Sequence, residues 1–170
     1  MEVREAINLR RSVRKFEQAP VEREKVETIL RAAMQAPSAH NQQPWEFLVV
    51  EKQDMIAKLS QVHQYAAPLA DAPLGIVVLM NRKRLKIEAF WQQDLSAATQ
   101  NMMLQAVELG LSTLWIGIAP EEENMAGVRE ICQLPEDVEA FALIAVGYSD
   151  KNRFKDRFDD SRIHWETYNR

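Results

Sequence analysis

The sequence predicts an α+β fold, a mixed central sheet flanked by helices, and three observations lead there. Four apolar runs of strand length alternate with segments whose apolar residues recur at helical spacing. No Gly-x-Gly-x-x-Gly turn follows any of the four, so the dinucleotide-binding form of a doubly wound parallel sheet has no support. At 170 residues, 46% hydrophobic and 27% charged, with neither repeats nor a linker-like stretch, the chain suits one domain over 1–170 with a buried core.

The elements follow in order. Val3, Ala6 and Ile7 predict amphipathic first turns that end near Arg10-Arg11-Ser12-Val13-Arg14. A second helix has Glu24 near its start and Val26, Ile29, Leu30 and Ala33 at helical spacing; it should stop before Ala36, because a residue preceding proline is driven out of the helical region. The run Pro37-Ser38-Ala39-His40-Asn41-Gln42-Gln43-Pro44 is too rich in polar and turn-forming residues for a core element and reads as a loop. Trp45 to Val50 reads as a buried strand, about Gln53 to Gln64 as a helix, and Gly75 to Met80 as a second strand with Pro73 at its approach. Arg82 to Trp91 fits a short helix, a lid or a plain connection. Asp94 to Leu109 is the longest expected helix, with a stripe of Leu95, Ala98, Met102, Met103, Ala106 and Leu109, and Gly110 suits its C-terminal end. Thr113 to Ile116 returns as a strand. Glu121, Glu122 and Glu123 then open a helix where its dipole favours acids, ending around Cys132 to Pro135. Ala140 to Val146 is the last strand, and a charged tail follows Gly147.

Charge narrows the partners. With 21 basic against 25 acidic residues, net −4, the chain is not built for nonspecific nucleic-acid binding. Its basic residues nevertheless crowd two places: Arg4, Arg10, Arg11, Arg14 and Lys15 near the start, and Lys151, Arg153, Lys155 and Arg157 near the end. Two distant segments are thus available to one anion, the plainer reading being two solvated faces. The single cysteine, Cys132, excludes an intramolecular disulfide and a thiolate-rich metal site and is expected as a small buried apolar residue. No His, Cys, Asp and Glu spacing suggests a metal, and Glu88 and Asp94 are expected as helix-start or surface carboxylates, not a catalytic pair. The start MEVREAINLRR lacks a signal-peptide core and no apolar run approaches 18 residues, so no membrane is expected and the cytosol is the expected location.

The tail adds a second demand. Phe154, Phe158, Ile163, Trp165 and Tyr168 stand among charges, and each is worth ~1.5–3 kcal/mol if buried. Segment 150–170 should therefore dock, on a partner subunit or back on its own domain.

Two stretches carry chemistry. Arg10-Arg11-Ser12-Val13-Arg14 offers guanidinium forks and a hydroxyl suited to phosphate, and Lys155 and Arg157 would point the same way from an extended segment. Pro37 to Trp45 offers hydroxyl, amide and backbone groups beside a large aromatic, which suit a heterocycle bearing carbonyls and ring nitrogens or, equally, a capped turn before a core tryptophan. His40 reads as a loop residue, His63 and Tyr65 as capping or pocket-lining groups near a helix end, and Phe90 and Trp91 as cover for a planar substrate or as interface packing.

Taken in order, Arg10 to Phe16, Ala36 to Trp45, the helix with Asn101 leading to Leu109-Gly110-Leu111, Trp115-Ile116-Gly117, Val146-Gly147-Tyr148 and the basic tail resemble the FMN-dependent nitroreductase family over nearly the whole chain. The resemblance implies an intertwined homodimer with two flavin sites. It places Arg10, Arg11, Ser12 and Arg14 around the FMN phosphate and ribityl chain, with Lys155 or Arg157 completing the phosphate site. Pro37, Ser38, Ala39 and Asn41 would approach the flavin from the other subunit. Ile116 and Gly117 would lie against the isoalloxazine, a backbone N–H near N5. The implied reaction is ping-pong, two-electron transfer from NAD(P)H to a nitroaromatic, quinone or similar small acceptor, without a catalytic acid–base dyad. Reductive dehalogenation or another flavin reaction, and a noncatalytic flavin-binding redox sensor, stay open. The chain departs from the family in having little sequence between Met80 and Trp91, which leaves substrate range and nicotinamide use open.

Overall fold

A computed structural model describes residues 1–150 and 154–168. Five α-helices and four strands make up the frame: α1 (Val3–Leu9), α2 (Arg23–Met34), β1 (Trp45–Val50), α3 (Gln53–Leu59), β2 (Leu74–Asn81), α4 (Trp91–Glu108), β3 (Ser112–Gly117), α5 (Glu122–Cys132) and β4 (Val138–Gly147). The strand order is β1-β2-β4-β3, and every strand pair is antiparallel. The expected mixed sheet is therefore corrected to an antiparallel one. The reason lies in β4: β2, α4 and β3 form a crossover whose two strands run the same way, but β4 inserts between them and opposes both. Among the described residues the parallel contact is an isolated bridge from Ser12 to Thr113.

Both sheet faces are covered, which is why β2 and β4 read as unbroken apolar runs. Ile76, Val78 and Met80 of β2 and Ala142, Ile144 and Val146 of β4 meet Val26, Ile29 and Ala33 of α2 and Leu95, Ala98 and Met102 of α4. Val77, Leu79, Leu143 and Ala145 turn the other way, onto Ile56 and Leu59 of α3, Leu69 and Val128 of α5. The two sides follow from the period-two alternation of a strand. It is broken once: Val78 faces Ala142 while Leu79 faces Ala140, so Phe141 is the extra residue of a bulge. That bulge sets Phe141 edge-on between Trp91, 5.9 Å away, and Trp115, 5.8 Å away.

Three further expectations change. The helix expected to reach Gln64 ends at Leu59, and a turn through His63 and Tyr65 takes its place. Of the α1 stripe only Ala6 is buried, Val3 and Ile7 being exposed. Cys132, expected to be buried, is half-buried at the end of α5. Desolvation still pushes its thiol up to about 11. Cys132 should consequently react slowly with iodoacetamide at neutral pH, its rate rising through an apparent pKa near 11, as a pH series of alkylation followed by mass spectrometry will read.

The tail does not bury its large side chains on its own domain. Phe158 is 75% and Trp165 83% exposed, and Phe154, Ile163 and Tyr168 are exposed as well. No described helix is long and apolar enough to cross a membrane.

Candidate functional site

The two basic segments converge. The chain leaves α1 through Arg10, whose N–H donates to the Ala6 carbonyl at 3.0 Å, and so delivers Arg10 and Arg11 to a cavity of about 360 Å³. Lys155 and Arg157 line its other side, and Phe154 bounds it with its ring 6.0 Å from the Arg11 guanidinium carbon. Lys151 and Arg153 lie outside the described residues. Asp156 is the one acid among the described lining residues, and its carboxylate accepts from the Phe158 N–H at 2.9 Å. Burial, then the charges of Arg11 and Arg157, hold the Arg10 guanidinium below its ordinary pKa. Like charges crowded in this way are relieved by an anion.

Beyond Arg11 the chain joins the free edge of β3. The Val13 N–H donates to the Thr113 carbonyl at 3.0 Å, completing the Ser12 bridge. Arg14 then lines a second cavity of about 550 Å³, with His63, Tyr65, Trp115, Ile116 and Gly117. The expected basic cluster is thus divided: Arg10 and Arg11 serve one cavity and Arg14 the other. Ile116 has its side chain buried at 3% exposure, whereas a Cβ added to Gly117 would meet no heavy atom within 4 Å.

Strand alternation decides which peptide groups face this cavity. The Ile118 N–H turns inward to the Phe141 carbonyl of β4, while the Thr113 and Gly117 carbonyls turn outward, to Val13 and to His63. Trp115 and Gly117 therefore present their N–H groups along the open edge, and Ile116 turns its own toward β4. His63 steadies that edge. The Tyr65 N–H donates to His63 Nδ1 at 3.1 Å, so Nε2 carries the proton and donates to the Gly117 carbonyl at 3.1 Å.

The loop residues Pro37, Ser38, Ala39 and Asn41 line neither cavity. They are held at the start of α4. His40, Asn41 and Gln43 all have positive φ, a conformation unfavourable for side chains with a Cβ, so something must hold them. The holder is Asp94. Expected as a surface or helix-start carboxylate, it does lie in the first turn of α4 but is 5% exposed. One oxygen accepts from the Ala39 N–H at 2.8 Å and the other from Gln42 Nε2 at 2.6 Å. Helical spacing already held the signal, since Asp94, Ala98 and Met102 fall on one face. Glu88, by contrast, is an exposed partner of Arg82 as expected.

Comparison with known proteins adds the decisive observation. The model of the Nitroreductase family matches residues 7–68 and 58–148, which together contain α2, the loop, the whole sheet and the β3 edge. The chain belongs to the nitroreductase family. A relative from Methanothermobacter thermautotrophicus, provisionally named an NADH dehydrogenase/NAD(P)H nitroreductase, is 43% identical over 99% of this chain and 88% of its own. Among solved structures, one from Clostridium acetobutylicum, provisionally named an NADH oxidase, superposes with a TM-score of 0.94 at 47% identity, covering 96% of this chain and 99% of that one. A protein from Desulfovibrio desulfuricans, provisionally named a nitroreductase and solved in complex with FMN, has a TM-score of 0.84 at 29% identity and 99% coverage of both.

The chain is thus an oxidoreductase of the nitroreductase type, and its fold is the family's α+β arrangement around an antiparallel sheet. Its residues fit a phosphorylated planar heterocycle on structural grounds. Arg10 and Arg11 line a cavity rich in cations, and Arg14, three residues beyond Arg11, lines a wider one whose other walls are largely aromatic and apolar at an open strand edge, whereas Ser12 lines neither. No described group of acids, cysteines and histidines could hold a metal ion.

Proposed function

We propose that the chain is an FMN-dependent oxidoreductase working as a homodimer, taking two electrons from NAD(P)H and passing them to a nitroaromatic, quinone or similar small acceptor in ping-pong order. The observation that carries the reading is the convergence of Arg10 and Arg11 with Lys155 and Arg157 beside the β3 edge. When bound, FMN supplies the hydride and electron chemistry. The residues bind and orient it. Arg10, Arg11, Lys155 and Arg157 would hold the phosphate, and Ser12, between Arg11 and Arg14 in the chain, would bind the ribityl chain. Gly117 turns its N–H toward the ring, with Ile116 and Trp115 as wall. Arg14, in the second cavity, would supply positive charge near a bound ring.

Two observations support a partner subunit. Pro37, Ser38, Ala39 and Asn41 line neither cavity of their own chain, and they are placed here against the other subunit's ring. Val3, Ile7 and Met34 leave apolar surface open on the body of the chain, and the exposed Phe154, Phe158, Ile163, Trp165 and Tyr168 of the tail would cover such surface on the partner by packing across the dimer.

Purified protein should show a flavin absorbance spectrum, and the released chromophore should have the mass of FMN. Mixing the loaded protein anaerobically with NADH or NADPH in a stopped-flow instrument should bleach the flavin band before any acceptor is added. Absence of flavin after reconstitution would overturn the cofactor; bleaching by neither nucleotide would overturn the donor.

A further inference from the structure

We infer that Asp94 and Gln42 form a positioning clamp for the flavin loop, so that a carboxylate lining neither cavity sets how residues 38–41 meet the ring in the partner's site. The inference rests on the proposed placement of that loop against flavin.

The geometry is complete at every polar atom of the pair. Asp94 splits its oxygens between the Ala39 N–H and the Gln42 carboxamide. The Gln42 amide nitrogen also donates to the Ile87 carbonyl at 3.2 Å, and its oxygen accepts the Lys86 and Ile87 N–H groups at 2.9 and 3.0 Å. Gln42 is 5% exposed, so its amide cannot exchange these partners for water. The Asp94 carboxylate determines which way the Gln42 amide faces, because Nε2 alone can donate to it. That orientation in turn decides that the oxygen meets the 86–87 peptides. Two further bonds brace the loop: the Gln43 N–H to Ser38 Oγ at 3.0 Å, and Lys86 Nζ to the His40 carbonyl at 2.9 Å. Three anchor points, Ala39, His40 and Gln42, therefore surround the positive-φ residues His40 and Asn41. A loop held in this conformation presents Ser38, Ala39 and Asn41 at fixed angles. Without the clamp it would relax toward ordinary backbone geometry and lose them.

Asp94→Asn is the sharp test. Asparagine has one acceptor oxygen, so either the Ala39 N–H or the Gln42 amide is left facing an NH2 group. Reconstituted D94N should bind FMN roughly tenfold more weakly, the scale of one lost charge-assisted hydrogen bond. The reduction potential of its bound flavin should also shift from wild type. The double variant D94N/Q42E reverses donor and acceptor across the pair. The amide introduced at position 94 donates to the carboxylate introduced at position 42 and keeps the Ala39 contact through its oxygen. The second oxygen of that new carboxylate keeps Lys86 and Ile87. The double variant should recover part of the affinity and move the potential back toward wild type, the shortfall coming from a carboxylate oxygen that replaces the donor facing the Ile87 carbonyl, where two acceptors then repel.

A purely structural Asp94 would lower the melting midpoint of the apoprotein and leave the FMN dissociation constant and potential of the folded protein unchanged, which would overturn the inference. Should D94N not fold, Gln42→Ala tests the same contact from the other side, and an unchanged potential there would overturn it equally. Wild-type protein that binds no FMN would overturn the flavin reading itself; wild type and D94N binding alike would overturn only the clamp.

Discussion

Arg10→Ala will bind FMN about tenfold to a hundredfold more weakly than wild type, while the spectrum and reducibility of whatever flavin remains bound stay close to normal. The magnitude is that of a hydrogen bond to a charged group, roughly 1.5–3 kcal/mol, of which each 1.4 kcal/mol is a factor of ten. The direction follows from position. Arg10 feels the like charges of Arg11 and Arg157, which a bound phosphate would offset, and it lines the cavity that Gly117 does not. Arg14 lines the ring-side cavity, so Arg14→Ala should show the reverse pattern, with smaller loss of retention and a larger shift in potential. Fluorescence titration of each apo variant with FMN, at two salt concentrations, reads retention, and redox titration of the bound flavin reads the potential; unchanged retention in Arg10→Ala would remove the phosphate site.

Ile76→Ala will lower stability by about 2–5 kcal/mol, the range for emptying a fully buried branched side chain. Ile76 has 0% exposure, lies opposite Ile144 on β4 and Val49 on β1, and packs under α2 and α4. Sheet neighbours on both sides leave the site little freedom to collapse around the cavity. For a chain of this size the melting midpoint should fall by roughly 5–20 °C. Differential scanning calorimetry at matched FMN occupancy reads it, because a ligand bound to the native state raises the midpoint by itself. A shift under about two degrees would show that the β2 face is not part of a close-packed core.

Most elements were legible because their signals are local. The α2 stripe, the apolar runs of β1 and β2, and the acidic start of α5 are each decided within a dozen residues. The errors fall where local signals end. Helical spacing through Gln64 continued past Leu59, but the turn there is held by His63, whose partner Gly117 is 54 positions away. Sheet direction is not written in any local pattern, because β4, last in the chain, enters between β2 and β3. The exposed Val3 and Ile7 had the same apolar pattern as a core stripe, and composition does not say whether a stripe meets its own chain or another.

By itself the sequence determined the kinds of chemistry present: guanidinium groups at Arg10, Arg11 and Arg14, two more cations at Lys155 and Arg157, a polar loop at 37–44, and a glycine ending a strand at Gly117. Only the tertiary structure decided their division of labour. It put Arg14 with Gly117 instead of with Arg10, turned the Gly117 N–H rather than that of Ile116 to the open edge, and buried Asp94 beneath the loop. The physical reason is range. Helix and strand preferences act between near neighbours in the chain, whereas the direction of a peptide at a sheet edge, and the cost of a buried carboxylate, depend on partners that only the folded chain brings within hydrogen-bonding distance.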